Sequence, residues 1–296
     1  MNVNQATGCL VGLAIGDALG ATLEFGPRME SNSHTEMIGK GPFGLKPGEY
    51  TDDTAMALAL AASIIEKRTF DPFETAMQFS SWYMRGKYAS NGRCFDIGNT
   101  TRKALDRFIE RKAAIAWPDE QALGNGALMR LAPVPIAYWR SPEKAAGVGD
   151  IQARITHNND INAAICSWLA YKLAKQMSSP TSLFHHFDDD GRHLLISPSI
   201  VSDLEDLATL RRDEVSSSGH VVDTLVAALW SVQTTTTFED AVVTAVNLGN
   251  DADTVGAVTG MIAGAIYGYK AIPERWRKVL KYGDAIKATA QRLTQN

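Results

Sequence analysis

The feature that most limits how this chain can fold is a series of segments that are apolar on nearly every side when drawn as helices. They are rich in Ala and Leu, and their apolar residues recur at i, i+3 and i+4, the spacing of an α-helix. The segments cover residues 8–23, 54–67, 159–176, 221–232, 238–246 and 254–267. Because a helix without a polar face must be covered on several sides, they predict a core made of helices.

Signals for other kinds of structure are weak. Alternation of apolar and polar residues, the pattern of a strand, is scarce, and its best example at residues 193–196 is weak. Pro72, Pro142 and Pro273 each stand near the start of a helical pattern, where the missing proline N–H is tolerated. We therefore predict an all-α fold, a compact orthogonal multi-helix single domain over residues 1–296.

Two stretches break the helical pattern. Residues 31–50 are rich in Gly and Pro and predict a loop long enough to be functional. The longer loop from Glu24 to Tyr50 is predicted to be a lid that becomes ordered when ligand binds. Residues 178–219 are polar and mixed, and predict a short helix flanked by loops. This second stretch holds His185, His186 and His193 beside three aspartates. A transition-metal site is one interpretation, but a solvated loop is favoured because no predicted geometry fixes these ligands.

The charge balance limits the possible partners. The chain has 29 basic and 33 acidic residues, a formal net charge of -4, so no cationic surface is left over for nucleic acid or anionic lipid. Its three cysteines are widely spaced, which argues against a disulfide framework and predicts a cytoplasmic location. No Lys or Arg precedes Arg28, and Asp17 interrupts the first apolar run, so neither a signal peptide nor a membrane span is predicted.

Two acidic motifs stand at the starts of apolar helical segments, TDDT at residues 51–54 and DADT at residues 251–254. Taken singly, each is typical of helix capping, because Thr and Asp are preferred N-cap residues. A cap needs only one oxygen, however, whereas each motif offers two carboxylates with adjacent threonine hydroxyls. Four carboxylates packed together are costly unless cations neutralise them. Hard oxygen ligands favour Mg²⁺ or Mn²⁺ over zinc, so our interpretation is a paired metal site.

Further loops hold acids among apolar or glycine neighbours. Asp17 and Glu24 lie within GDALGATLEF, and Asp96 lies within CFDIGNT. Two interpretations of Asp96 stay open, a functional acid and an N-cap for a helix over residues 100–112. The Gly-Asn-Gly turn at residues 124–126 exposes N–H groups that can cradle an anion.

Together these stretches resemble the ADP-ribosylglycohydrolase family, in particular its bacterial arginine-directed type that activates dinitrogenase reductase. The matching motifs occur in the family's order and run from about residue 8 to residue 268. They are GLAIGDALGATLEF, KPGEYTDDTAMALAL, FDIGNT, GNGALMRLAPV, QARITHN, VVDT and GNDADTVGAVTGMIAGAIYG. The combination of TDDT near the front with GNDADT near the end is highly specific, and the other motifs support it.

The resemblance implies a compact all-α fold whose cleft binds two divalent cations, Mg²⁺ or Mn²⁺. The implied metal ligands are Thr51, Asp52, Asp53, Asp251, Asp253 and Thr254. Two acids have implied catalytic roles: Glu24, on a loop that closes over the scissile ribose bond, and Asp96. Either acid can serve as general base. The implied substrate-binding residues are Gly98, Asn99, Glu120, Asn125, Gly126 and His157.

The implied activity is hydrolysis of the N-glycosidic bond between ADP-ribose and an arginine side chain of a modified protein, with ADP-ribose as a product. One alternative keeps the fold and metals but changes the substrate to serine-linked ADP-ribose or a small ADP-ribosyl metabolite. Another is a non-enzymatic protein that binds ADP-ribose or neutralises a toxin. Residues 178–220 depart from the bacterial relative, with His220 where an aromatic residue is expected, so the target protein is left open.

Overall fold

A computed structural model describes residues 3–178 and 207–295 of the protein. These residues form twelve α-helices and no β-strand, which confirms the predicted all-α fold. The helices are α1 (Val3–Gly20), α2 (Asp52–Lys67), α3 (Pro72–Arg85), α4 (Asn99–Arg111), α5 (Pro133–Ala137), α6 (Pro142–Arg154), α7 (Asp160–Ser178), α8 (Val221–Gln233), α9 (Phe238–Val246), α10 (Ala252–Tyr267), α11 (Glu274–Val279) and α12 (Gly283–Leu293). The histidine and aspartate cluster at 185–193 and the weak strand pattern at 193–196 lie outside the described residues.

The apolar segments named above correspond to helices α1, α2, α7, α8, α9 and α10. Pro72 and Pro142 are the first residues of α3 and α6, and Pro273 stands immediately before α11. The Gly- and Pro-rich residues 31–50 contain no helix and carry one isolated bridge, between Lys40 and Leu45.

Helices α1 and α10 pack antiparallel at the centre of the molecule, with glycine facing glycine at every fourth residue. The facing pairs are Gly8–Gly264, Gly12–Gly260 and Gly16–Gly256. A Cβ atom built on Gly12 would lie 2.2 Å from the carbonyl oxygen of Gly260, a distance that no real side chain tolerates. The two backbones therefore touch along several turns because neither helix has side chains on this face.

The contact between α1 and α10 determines where the acidic motifs lie. Farther along the same interface, a Cβ atom on Gly20 would lie 2.6 Å from Cα of Asp253, in the first turn of α10. Helix α2 also begins here, since the Thr51 N–H donates to Oδ1 of Asp17 in α1 at 2.8 Å. The C-terminal end of α1 and the N-termini of α2 and α10 therefore meet at one point.

The remaining helices surround this pair. The buried apolar side chains of the described residues form one continuous core, which includes Trp82, Phe238 and Trp276. One core of this kind supports the single-domain interpretation of residues 1–296, which stays a prediction. Within the described ranges, no helix has both the length and the apolar character needed to span a bilayer.

Candidate active site

Asp17, in the last turn of α1, organises the start of helix α2. Its Oδ2 accepts hydrogen bonds from the Thr54 N–H at 2.9 Å and from the Thr54 hydroxyl at 2.6 Å, and its Oδ1 accepts from the Thr51 N–H. Thr51 occupies the N-cap position of α2, yet its side chain makes no capping hydrogen bond. The capping interpretation of TDDT is therefore wrong for Thr51, because Asp17 satisfies these N–H groups instead.

The Thr51 hydroxyl lies among three carboxylates. Its oxygen is 2.9 Å from Asp17 Oδ1, 3.1 Å from Asp53 Oδ2 and 3.0 Å from Asp253 Oδ2. A threonine hydroxyl has a single hydrogen and can donate to only one acceptor at a time. The other two carboxylate oxygens therefore contact the Thr51 oxygen with no hydrogen between them, and these oxygens repel one another. A bound cation, or protons on the carboxylates, would remove this repulsion.

The acids form two groups that share one member. Ligand oxygens of Asp17, Asp53 and Asp253 lie within 4.8 Å of one another, and so do those of Glu24, Asp251 and Asp253. Asp53 Oδ1 is buried and has no hydrogen-bond partner among the described residues. Such an orphaned carboxylate oxygen fits a metal ligand, since buried polar atoms otherwise find partners. Each group could hold a cation, with Asp253 between them.

Burial makes these carboxylates hard to ionise without a cation. Burial, and then the neighbouring acids, raise the pKa values of Asp52 and Asp53 well above the usual range. Burial also raises the pKa of Asp253 to about 7. The pKa of Asp96 is raised to about 9 by burial first and by the charge of Asp253 second. The site therefore favours either protons or positive ions.

A cavity of about 370 Å³ opens above this carboxylate cluster. The predicted site residues that line it are Glu24, Asp52, Asp96, Gly98, Asn99, Asn125, Gly126, His157, Asp251, Asp253 and Thr254. Thr51 and Asp53 lie behind the lining, in contact with Asp253 through the Thr51 hydroxyl. The structure therefore brings most of the predicted residues to one cavity.

Glu120 is the predicted site residue that the structure does not bring to the cavity. It is exposed and is not part of the lining. Its carbonyl oxygen accepts from the Asn159 side chain at 3.2 Å, which uses the backbone rather than the carboxylate. A substrate-binding role for the Glu120 carboxylate stays a prediction without support from its position.

The structure excludes one of the two interpretations of Asp96, and its functional role stays a prediction. Helix α4 begins at Asn99 with Gly98 as its N-cap residue, so Asp96 does not cap it. Asp96 has φ +59°, in the left-handed region that few residues other than glycine adopt. Backbone strain of this kind costs on the order of 1–3 kcal/mol and is concentrated at functional sites. The N-cap interpretation is wrong, and the half-buried carboxylate faces the cavity.

The side chain of Asn125 is hydrogen-bonded to the carboxylate of Asp251. Its side-chain amide donates to Asp251 Oδ2 at 2.9 Å and to the Thr224 hydroxyl at 2.8 Å. Its backbone N–H donates to the carbonyl oxygen of Gly219 at 3.0 Å. The Gly-Asn-Gly turn is thus tied to the DADT motif, and Asn125 orients Asp251.

No role was predicted for Asp17, or for a cluster of three phenylalanines of which Phe25 lines the cavity. The ring of Phe43 lies 6.0 Å from that of Phe25 and 5.4 Å from that of Phe95, measured between centroids. Phe25 is 67% exposed although it is large and apolar. The sequence held two indications of these residues. Asp17 is an acid within an otherwise apolar helical segment, and Phe25 and Phe95 are sequence neighbours of the candidate catalytic acids.

The fold and the site together define a helical protein with a buried carboxylate cluster beneath a cavity. The sequence model of the ADP-ribosylglycohydrolase family matches residues 2–296. The chain therefore belongs to the ADP-ribosylglycohydrolase family.

Individual relatives agree with this family. The chain is 42% identical over 299 residues to ADP-ribosylarginine hydrolase Tri1 of Serratia proteamaculans, covering 99% of this chain and 79% of the relative. It is 34% identical over 306 residues to ADP-ribosyl-(dinitrogen reductase) glycohydrolase of Rhodospirillum rubrum, covering 97% of each. A solved structure described as an ADP-ribosylglycohydrolase-related protein complex matches with a TM-score of 0.84 and 35% identity, covering 99% of this chain and 98% of that chain.

Proposed function

We propose that this protein cleaves the N-glycosidic bond between ADP-ribose and an arginine side chain of a modified protein. The observation that carries the proposal is the meeting of two candidate catalytic acids, Glu24 and Asp96, with a buried carboxylate cluster at one cavity. The arginine linkage is supported by the similarity to the Serratia hydrolase, whose name states that linkage.

We infer that two divalent cations, Mg²⁺ or Mn²⁺, occupy the carboxylate cluster. The chemistry of the donors supports this inference, because all of them are hard oxygens. The partnerless Asp53 Oδ1 supports it as well. Asp52 and Thr254 line the cavity beside the two acid groups, and Thr51 lies behind them. When bound, the cations would hold the ribose hydroxyls and act as Lewis acids.

Asp96 is the better candidate for the general base. Glu24 belongs to one of the two acid groups that could hold a cation, whereas Asp96 belongs to neither. Hydrolysis breaks the bond between ribose C1 and the guanidinium nitrogen through an oxocarbenium-like transition state. Asp96 would accept a proton from the attacking water as the new C1–O bond forms, and would then return that proton to the departing guanidine nitrogen. A cation bound at Asp253 would lower the raised pKa of Asp96 and keep its carboxylate ionised.

The diphosphate has backbone donors on two sides of the cavity. Gly98 and Asn99 stand at the N-terminus of α4, where unpaired N–H groups and the helix dipole favour an anion. Gly126 lines the cavity from the Gly-Asn-Gly turn, with His157 packed beside it. Backbone donors of this kind explain how a chain with net charge -4 can bind a diphosphate.

We infer that the partner is an ADP-ribosylated protein, that ADP-ribose is released, and that the reaction takes place in the cytoplasm. Cys9, Cys94 and Cys166 are free thiols, as expected in a reducing compartment. The acidic charge balance gives no support for a nucleic-acid or membrane partner.

The test is to incubate the purified protein with arginine-ADP-ribosylated protein and with serine-ADP-ribosylated protein, in Mg²⁺ or in excess chelator. Release of ADP-ribose from the arginine-linked substrate, dependent on the metal, is the expected result. Release from the serine-linked substrate alone would change the assigned linkage. Tight binding of ADP-ribose without release from either substrate would show a binding protein rather than a hydrolase.

A further inference from the structure

Arg130 is a fully buried guanidinium that forms no ion pair among the described residues. Its Nε donates to the side-chain oxygen of Gln152 at 3.1 Å, and its Nη2 donates to the Gln152 carbonyl oxygen at 3.0 Å. Its guanidinium also lies over the ring of Phe79, 4.3 Å from the centroid. A buried cation without a carboxylate partner is costly unless hydrogen bonds compensate it.

The same guanidinium reaches a residue of the cavity through one hydroxyl. Nη2 of Arg130 donates to Oγ1 of Thr156 at 2.8 Å, and that oxygen lies 2.9 Å from Nδ1 of His157. All three side chains are buried. This chain of contacts, from Arg130 through Thr156 to His157, connects the core to the cavity lining.

The direction of each hydrogen bond follows from what the groups can donate. Arginine has no acceptor, so the Thr156 oxygen must accept from Arg130. Among the described residues, Nδ1 of His157 is the acceptor available to the one hydrogen of the Thr156 hydroxyl. A buried hydroxyl left without an acceptor is unfavourable. Nδ1 therefore accepts, and a neutral imidazole then carries its hydrogen on Nε2.

The protonation state of His157 agrees with a hydrogen bond donated by the Thr156 hydroxyl to Nδ1. Burial lowers the pKa of His157 to about 3, and the nearby positive charge of Arg130 acts in the same sense. The imidazole is therefore neutral at physiological pH. A second proton on Nδ1 would also face the Thr156 oxygen that already accepts from Arg130.

The Nε2 edge of His157 faces the Gly-Asn-Gly turn. A Cβ atom on Gly124 would lie 3.4 Å from Nε2, and one on Gly126 would lie 2.8 Å from Cε1. Gly126 therefore has to be glycine for the imidazole to lie this close to the turn. His157 lines the cavity at the side where we infer that the diphosphate binds.

We propose that Arg130, acting through Thr156, fixes His157 as the Nε2–H tautomer, so that the imidazole donates a hydrogen bond to a diphosphate oxygen of ADP-ribose. Arg130 and Thr156 are positioning residues, and His157 is the residue that contacts the ligand. The identity of the ligand rests on the proposed function, whereas the tautomer does not.

The tautomer can be read directly by long-range ¹H–¹⁵N NMR of histidine-labelled protein, with His157 assigned by its loss in His157→Gln. We expect the Nε2–H pattern in the wild type and in Thr156→Ser, which keeps the hydroxyl. In Thr156→Val we expect a mixed or Nδ1–H pattern and roughly tenfold weaker binding of ADP-ribose by calorimetry, the effect of one lost hydrogen bond. KM for the arginine-linked substrate should rise by a similar factor with kcat nearly unchanged.

Two results would overturn the proposal: an Nδ1–H tautomer in the wild type, or an unchanged tautomer and unchanged affinity in a folded Thr156→Val. Reading the wild-type tautomer needs only the assignment of His157, which triple-resonance experiments on the wild type provide if His157→Gln does not fold, so a variant that fails to fold does not prevent the test. Neither the spectrum nor ADP-ribose binding requires turnover. An inactive wild type with the Nε2–H tautomer would therefore contradict the proposed hydrolase and leave this inference standing.

Discussion

A Cβ atom built on Gly16 would lie 1.9 Å from the carbonyl oxygen of Gly256, so α1 and α10 touch where no larger residue fits. This contact is one residue from Asp17 and three residues from Asp253 along their chains. The backbone contact thus sets the separation of two acids that share the Thr51 hydroxyl. The packing of the core and the geometry of the site depend on the same glycines.

Replacing Gly16 by Ala should therefore damage stability and metal binding together. The added methyl meets backbone atoms, which cannot rotate away, so we expect a loss of about 3 kcal/mol in the free energy of unfolding. The affinity for Mg²⁺ should also fall, because the two helices would move apart. Urea unfolding and a Mg²⁺ titration measure both effects.

Gly147 provides the matched control. It lies within α6, and a Cβ atom there would meet nothing within 4 Å. Gly147→Ala should raise the stability by roughly 0.5–1 kcal/mol, because alanine is the better helix former. Equal effects of the two substitutions would contradict the interpretation of the glycine contact.

The helices were predictable from the sequence, but their partners were not. Apolar segments without a polar face indicated burial, and every such segment in the described residues is helical. The pairing of α1 with α10 joins residues more than 200 positions apart, and periodicity within one helix carries no information on it. The glycines at four-residue spacing in both helices held that information, and the sequence reasoning did not use them.

A second prediction concerns Asp53, whose Oδ1 has no hydrogen-bond partner within residues 3–178 and 207–295. Asp53→Asn removes a charge from a crowded, buried cluster, so the metal-free protein should become more stable at pH 8. The same substitution removes a hard oxygen ligand. At a Mg²⁺ concentration 100 times the Kd, the wild type should gain about 2.7 kcal/mol, and the variant should lose most of that gain.

Differential scanning calorimetry with and without Mg²⁺ separates the two effects of Asp53→Asn. We expect a higher Tm than the wild type in chelator and a much smaller increase on adding Mg²⁺. A variant that responds to Mg²⁺ as the wild type does would show that Asp53 is not a ligand. Mn²⁺ should replace Mg²⁺ in this experiment, and Zn²⁺ should do so poorly.

The site was predictable where a motif carried its own chemistry. TDDT and DADT each offer paired carboxylates, and the structure brings both to one cluster. Asp17 was visible only as an acid in an apolar helix, because its partners Thr51 and Thr54 are distant in sequence. The contact of Asn125 with Asp251 spans 126 positions and follows from the fold alone.

The metal-free protein should lose stability as the pH rises. The pKa of Asp253 is raised from 3.8 to about 7 and that of Asp96 from 3.8 to about 9, mainly by burial. Between pH 3.8 and about 7 for Asp253, and between pH 3.8 and about 9 for Asp96, the folded state binds more protons than the unfolded state. The free energy of unfolding therefore falls as the pH rises. For each such proton the slope is about 1.4 kcal/mol per pH unit.

Urea unfolding in chelator between pH 5 and pH 9 measures this effect. We expect a steady decrease in stability across the window, and a much weaker decrease in saturating Mg²⁺, because cations hold the carboxylates in the ionised form. A stability in chelator that is flat or rises with pH would show that the cluster is not protonated in the metal-free protein.

The last prediction separates the two candidate catalytic acids through Asp96→Asn. Asparagine has nearly the same shape and also tolerates the left-handed backbone of this position, φ +59°. The substitution therefore removes the titratable carboxylate and little else. A general base typically contributes about 10²–10⁴-fold, so kcat on the arginine-linked substrate should fall by that factor. In saturating Mg²⁺, where bound cations would already offset the raised pKa of Asp96, ADP-ribose affinity and Tm should change little, since Asp96 belongs to neither acid group that could hold a cation.

Asp284→Asn makes the same change of charge in α12, at an exposed residue that does not line the cavity, and should leave kcat unchanged. Single-turnover measurements at saturating Mg²⁺ compare the chemical step in the two variants directly. If Asp96→Asn is folded, binds ADP-ribose and turns over at the wild-type rate, Asp96 is not the base. Glu24→Gln should then show the large loss in kcat, with a loss of Mg²⁺ affinity as well, because Glu24 shares its group with Asp251 and Asp253.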